Sequence, residues 1–240
     1  MMLGNLKWQQ KRLSLIRIVK IILNKLGLCV NFCEKEANIQ LDDLISQCDL
    51  QILSQNSLAE CEPFVCSKKD LTDFFSEDFA IYEKLLLGKT YVFRFKHNPS
   101  IIACAFTVSN DSISLTDKID VSDKNTFLEE SDLQAKKMKR FPSVLIGRLG
   151  VNEKFEGRGY GSALMDFIKM WFLISNKTAC RFIIVDAYND EKTLHYYQKN
   201  GFKFLIQDER SEAKYMEINA KSLPLKTRHM YYDLLNANIQ

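Results

Sequence analysis

The sequence predicts an α/β fold on a mixed sheet, and three observations carry the prediction. Residues 144–187 read strand, helix, strand. Residues 144–151 are short, apolar and rich in β-branched side chains; Leu164, Phe167, Ile168 and Trp171 recur at helical spacing; residues 182–187 are again a buried apolar run. A βαβ unit of this kind makes its two strands parallel and its crossover right-handed. Upstream, residues 90–96 and 101–108 flank His97-Asn98-Pro99-Ser100, a connection of turn-forming residues that gives an antiparallel pair. The third observation is Glu156-Gly157-Arg158-Gly159-Tyr160-Gly161-Ser162-Ala163-Leu164, which turns the first βαβ strand into its helix.

The remaining elements follow in order. Residues 1–40 read as a basic amphipathic helical extension: Leu13, Ile16, Val19, Ile22 or Leu23 and Leu26 form one apolar stripe, while Lys11, Arg17, Lys20 and Lys25 take other faces. A membrane span needs about 18 or more apolar residues in a row. Arg17, Lys20 and Lys25 interrupt every such run, so neither a transmembrane segment nor a signal peptide is expected. The helix is expected to pack on its own domain or on a second subunit in a homodimer, with membrane-surface or RNA contact as alternatives. Residues 41–60 are a connecting segment of weaker periodicity, and residues 61–240 form the main domain. Residues 63–66 suit a short strand, and residues 69–87 a helix with Leu71, Phe74, Phe75, Phe79, Tyr82, Leu85 and Leu86 on its buried side and Gly88 as its stop. Residues 109–140 are polar and read as a long irregular loop ending in the basic run Lys136-Lys137-Met138-Lys139-Arg140. After the crossover come a helix over 190–199, the start of a strand at 201–204 and a last strand over 227–234.

The glycine turn carries the chemistry. Successive backbone N–H groups at a helix start are unpaired and point outward, and three glycines let an anion approach without Cβ clashes, so the turn suits a pyrophosphate. A nucleotide P-loop would place Lys-Ser or Lys-Thr directly after its last glycine, where Ser162-Ala163 stands. A dinucleotide fold would want the spacing G-x-G-x-x-G early in the chain, whereas Gly157, Gly159 and Gly161 are spaced G-x-G-x-G past its middle. A coenzyme A site is compatible with the turn.

Arg148-Leu149-Gly150-Val151-Asn152, the glycine turn, and Tyr196-Tyr197-Gln198-Lys199-Asn200-Gly201-Phe202 resemble, in order and spacing, the successive signatures of the GNAT acyltransferase superfamily. The resemblance covers roughly residues 60–235 and implies a mixed central sheet with helices on both faces. It implies acetyl-CoA as co-substrate, without a metal. Backbone groups of Leu149, Gly150 and Val151 would meet the pantetheine arm where neighbouring strands splay. Gly157, Arg158, Gly159, Tyr160, Gly161, Ser162 and Ala163 would hold the pyrophosphate. Tyr197 would stand near the thioester sulfur and protonate the leaving thiolate. Two positions depart from the family pattern: Glu156 stands where Gln or Arg is usual, and Asp190 where many relatives have Asn. Asp186, at the end of its strand, is a candidate base for the amine, with an ion pair to Arg148 as the structural alternative. The helix over 70–87, the long segment before Arg148 and the Arg-Leu-x-Val strand resemble the branch that contains the tRNA-acetylating toxins.

Composition sets bounds on this reading. The 240 residues are 46% hydrophobic and 26% charged, enough to bury a sizeable core. Seven cysteines without a C-x-x-C pair and only three histidines argue against a disulfide framework and a zinc site, and fit a reducing cytoplasm. The resemblance implies direct attack of an amine on the thioester without a covalent enzyme intermediate, and Cys104 and Cys180, which read as core, do not argue otherwise. A net charge of +3 gives RNA little electrostatic attraction, so RNA contact is not favoured. Three functions follow: an N-acetyltransferase for a small or protein amine, a toxin-type enzyme acting on aminoacyl-tRNA, and a non-catalytic coenzyme A sensor.

Overall fold

The computed structural model describes residues 39–134, 138–174, 176 and 179–236. The expected N-terminal extension, apart from its last two residues, lies outside them, as do Lys136 and Lys137. The described elements are α1 (Leu41–Gln47), β1 (Cys48–Ile52), α2 (Gln55–Ala59), α3 (Lys69–Asp73), a π-helical turn (Phe74–Asp78), α4 (Phe79–Lys84), β2 (Lys89–Phe95), β3 (Ile102–Ser114), α5 (Val121–Glu130), β4 (Arg140–Val151), α6 (Tyr160–Ile174), β5 (Phe182–Tyr188), α7 (Glu191–Lys199), β6 (Lys203–Phe204), α8 (Glu209–Tyr215) and β7 (Thr227–Asp233). One seven-stranded sheet runs β1-β2-β3-β4-β5-β7-β6, parallel between β4 and β5 and antiparallel elsewhere.

Successive strand residues point to opposite faces, and the core divides accordingly. Phe93, Phe106, Ile183 and Val185 join Leu164, Met165 and Ile168 of α6 and Tyr197 of α7 on one face. Their chain neighbours point the other way. Phe182 and Ile184 pack with Phe127 of α5, and Val92 and Ala105 pack with Phe74, Phe75 and Phe79. Helices therefore cover both faces, and Cys104 and Cys180 are buried as expected.

Four expectations are corrected. Residues 41–59 form two short helices and the edge strand β1, which pairs with β2. Residues 63–66 are not a strand; Phe64 and Cys66 pack beneath the α3–α4 segment instead. The expected loop over 109–140 is largely ordered structure, because β3 runs on to Ser114 opposite Arg140 and α5 anchors Phe127 in the second core. The helix over 69–87 breaks into a π turn at Phe74–Asp78 and ends at Lys84. A π turn adds a residue to the turn and moves the apolar stripe out of phase. Phe74, Phe75 and Phe79 stay buried, whereas Tyr82, Leu85 and Leu86 are exposed, and Leu86 rather than Gly88 takes the left-handed conformation, with φ 57°.

Two irregularities of β4 shape the site. Its register with β3 skips a residue, Val108 facing Ile146 and Thr107 facing Arg148, so Gly147 bulges. A bulge re-aims the side chains beyond it. Val144 and Ile146 join the α6 face, but Arg148 lies with its guanidinium 5.0 Å from the Phe74 ring on the opposite face. The second irregularity is a split: β4 pairs with β5 only from Ser143–Leu145 to Phe182–Ile184, while β4 continues along β3 to Val151 and β5 along β7 to Tyr188. Beyond Leu145 the two strands no longer pair, and Leu149, Gly150 and Val151 lie on the part of β4 that has left β5.

The wall of this split is tightly packed at Gly150, where a Cβ would lie 2.7 Å from Cys66 Sγ and 3.0 Å from Phe75 Cε2. Both neighbours are buried and leave little room to yield. Gly150→Ala is therefore expected to destabilise the fold by about 1–3 kcal/mol, read as a lower chemical-denaturation midpoint.

Candidate active site

The glycine turn is anchored before it begins. Asn152 is buried, donates from Nδ2 to Ile102 O at 3.1 Å and caps a short 3-10 turn over Glu153–Phe155 by accepting from Lys154 N at 3.1 Å. Gly157 and Gly159 then adopt φ 73° and 87°, a left-handed conformation that favours glycine. Left-handed residues alternating with others in a turn are the backbone pattern from which anion-binding nests are built. Ala163 N is the first in the helix to find a backbone acceptor, Gly159 O at 3.0 Å. The backbone N–H groups of Gly157, Gly159, Tyr160, Gly161 and Ser162 have no acceptor among the described residues. Arg158 is arranged differently: its N–H turns back to Phe155 O at 3.4 Å and its carbonyl accepts from Ile39 N at 2.9 Å.

Helix α7 carries the two tyrosines. Asp190 caps it by accepting from Thr193 N at 2.9 Å, and Lys68 Nζ lies 2.7 Å from the same carboxylate and 4.1 Å from the centroid of the Tyr188 ring. Desolvation opposes ionisation of Asp190, but the hydrogen bonds from Lys68 and Thr193 outweigh it and hold the carboxyl below its usual range. This residue's role is structural: it fixes where α7 begins. Tyr196 donates its hydroxyl proton to Gly161 O at 2.7 Å, tying α7 to the first turn of α6. Tyr197 stacks edge-on between Tyr196 and Phe202, with centroids at 5.1 and 5.3 Å, and its hydroxyl has no hydrogen-bond partner among the described residues. Burial, followed by the Asp186 carboxylate, pushes its phenol well above the usual range, so it keeps its proton at neutral pH.

On the face opposite α6, Asp186 pairs not with Arg148 but with His229, Oδ1 to Nδ1 at 2.8 Å, directly across the β5–β7 ladder. Arg148 instead donates to Gly147 O at 2.6 Å. The bulge and the strand register thus set Arg148 and the Asp186–His229 pair on one face, on strands that diverge. Spacing gave no hint of His229, which lies 43 residues from Asp186 in the chain. Glu156 reaches Lys192 at 3.7 Å and so has a basic partner, though not Arg158. Cys66 lies against Gly150 at the wall of the split, and burial, with the Glu156 carboxylate next, pushes its thiol up to about 12. Such a thiol is no nucleophile at neutral pH.

Among the described residues no group of three or more His, Cys, Asp or Glu is placed to hold a metal ion, and no helix is long and apolar enough to cross a membrane. Residues 127–204, from within α5 to β6, match the acetyltransferase (GNAT) domain family. No curated protein sequence matches significantly. Three solved structures illustrate the likeness of fold. AtaT complexed with acetyl-methionyl-tRNAfMet is 15% identical, with 78% of this chain and 94% of that one covered at a TM-score of 0.57. A tyrosine-to-phenylalanine variant of KacT is 16% identical, with 79% and 96% covered and a TM-score of 0.58. AtaTR bound with acetyl-CoA is 17% identical, with 79% and 95% covered and a TM-score of 0.54. The domain match thus spans the glycine turn and its flanking elements, and the fold is shared with these three chains along almost their whole length.

Proposed function

We propose that this acetyltransferase moves the acetyl group of acetyl-CoA onto a primary amine by direct attack of the amine on the thioester. The observation that carries the reading is the row of unpaired N–H groups at Gly157, Gly159, Tyr160, Gly161 and Ser162, at the start of α6 and beside the split between β4 and β5. Five donors at a helix N-terminus suit a doubly charged pyrophosphate. The backbone of Leu149, Gly150 and Val151 then lines the split for the pantetheine arm, and Tyr197 supplies the proton that the departing sulfur needs. Arg158 and Ala163 contribute position rather than donors, since their N–H groups are engaged within the turn.

Glu156→Gln tests the one ill-fitting charge. Among the described residues its carboxylate pairs with the exposed Lys192, so its loss leaves no buried group of theirs unpaired. The affinity for acetyl-CoA, read by calorimetry, is expected to hold or rise; a tenfold loss, about 1.4 kcal/mol, would mean that the carboxylate organises the turn.

The acceptor is an amine, and a second, narrower reading makes it the α-amine of an aminoacyl-tRNA. It is supported by the shared fold with AtaT, whose structure was solved with acetyl-methionyl-tRNAfMet. An α-amino group has an ordinary pKa of about 8, so a useful fraction is neutral and nucleophilic at pH 7. Incubation with radiolabelled acetyl-CoA and separate pools of charged tRNA, protein and small metabolites decides the matter. Label in charged tRNA supports the narrower reading and label elsewhere the broader one. Label in none, with tight acetyl-CoA binding, would overturn both in favour of a coenzyme A sensor.

A further inference from the structure

We infer that His229, oriented by Asp186, is the base that takes the proton from the attacking amine. The inference rests on the acetyl-transfer reading above and adds to it a residue that lies outside the matched family segment.

Three observations carry it. The first is the pair itself: Nδ1 of His229 lies 2.8 Å from Asp186 Oδ1. A carboxylate only accepts, so the imidazole proton sits on Nδ1 and the lone pair on Nε2, which makes Nε2 the basic atom. The second is placement. Asp186 and His229 are directly opposed on β5 and β7, beyond the point where β4 leaves β5, and the Asp186 carboxylate acts electrostatically on the Tyr197 phenol. Proton donor and proton acceptor therefore lie towards the same end of the split, on opposite faces of the sheet. The third is support. Glu212, fully buried on α8, accepts from the His229 backbone N–H and from Arg228 Nε, the latter at 2.6 Å, and so fixes β7 where the histidine leaves it.

The groups around the imidazole are Asp186 on β5, Tyr215 and Glu212 on α8, and Arg228 beside it on β7, which turns to Glu212 and Glu209. Asp111 on β3 and Asp186 both act on the Tyr215 phenol. Asp186 itself is the weaker choice of base. Its Oδ1 is already taken up by the imidazole Nδ1, which leaves Nε2 of His229 as the free basic atom of the pair.

The step balances without a further reactant. The lone pair of the neutral amine forms the C–N bond and the C–S bond breaks with its electron pair on sulfur. The new amide nitrogen gives one proton to His229 Nε2, and sulfur takes one from the Tyr197 hydroxyl. Return of the imidazolium proton to the tyrosinate through solvent restores both groups.

The test is turnover with the acceptor pool that wild-type enzyme labels, measured across pH, with acetyl-CoA affinity as the control for folding. His229→Gln is expected to lower kcat about 100-fold or more at unchanged acetyl-CoA affinity. It should also change the shape of the pH–kcat profile, as loss of a general base does. Turnover and profile like wild type would overturn the inference. Should His229→Gln fail to bind acetyl-CoA, Asp186→Asn, which keeps the imidazole, decides: a loss of at least about tenfold, with a changed imidazole tautomer in long-range 1H–15N correlation spectra, supports the pair. Wild-type turnover from Asp186→Asn rejects it. Wild-type enzyme that labels no pool rejects the acetyl-transfer reading instead, a result distinct from an active enzyme indifferent to His229.

Discussion

Gly159→Val is expected to abolish measurable acetyl-CoA binding while leaving a folded protein. Gly159 has φ 87°, and its carbonyl receives the first hydrogen bond of α6, from Ala163 N. A left-handed conformation costs an L-residue about 1–2 kcal/mol, and a β-branched side chain tolerates it worst. Valine escapes that cost by rotating the backbone to negative φ. The rotation swings the N–H of Gly159 and disturbs the peptide that carries the N–H of Tyr160, so two of the five free donors leave the nest. A hydrogen bond to a charged group contributes about 1.5–3 kcal/mol, and losing two weakens binding by about 100-fold at the least. The turn lies at the surface end of the sheet, so the fold itself should lose no more than about 1–2 kcal/mol. Calorimetry with acetyl-CoA reads the first effect and chemical denaturation the second. Binding within tenfold of wild type would remove the turn from the coenzyme site.

Tyr197→Phe should act on the other side of the ledger, lowering kcat about 100-fold or more at unchanged acetyl-CoA affinity. The substitution is clean because the Tyr197 hydroxyl bonds to nothing in the described structure, so its removal leaves no orphaned donor or acceptor. The ring, which packs against Tyr196 and Phe202, stays. Single-turnover kinetics at saturating substrates separates loss of proton donation from loss of binding. Wild-type turnover under those conditions would reassign Tyr197 to packing alone. The same measurement on the pH axis joins it to His229, since donor and acceptor serve one transfer.

What could be read from the chain was what neighbouring residues decide. The hairpin, the βαβ unit and the glycine turn each fit within a window of some 10 to 40 residues, and each is present with small shifts of boundary. The Tyr196-Tyr197 doublet was legible for the same reason. What escaped was set by partners far along the chain. The polar end of β3 reads as loop because Ser109, Asn110 and Asp111 carry no alternation, and only the long β4 opposite makes it a strand. Helix α5 offers a single fully buried anchor, Phe127, and so shows no stripe. The phase slip at the π turn comes from an inserted residue per turn, which no stripe of phenylalanines announces. His229 becomes part of the site only through β5–β7 register, and Asp186 could not be given its partner without that register.

The bond from the Tyr196 hydroxyl to Gly161 O has a consequence for tolerance in the mechanical sense. Consecutive residues of a helix leave it about 100° apart, so one tyrosine of the doublet reaches the phosphate-side turn while the next stays with the split sheet. On the proposed roles, two ends of the coenzyme would be gauged from adjacent teeth of one rigid rack, itself clamped at its start by Asp190 and Lys68. Slack introduced anywhere in that rack would then shift the glycine turn and the Tyr197 hydroxyl together.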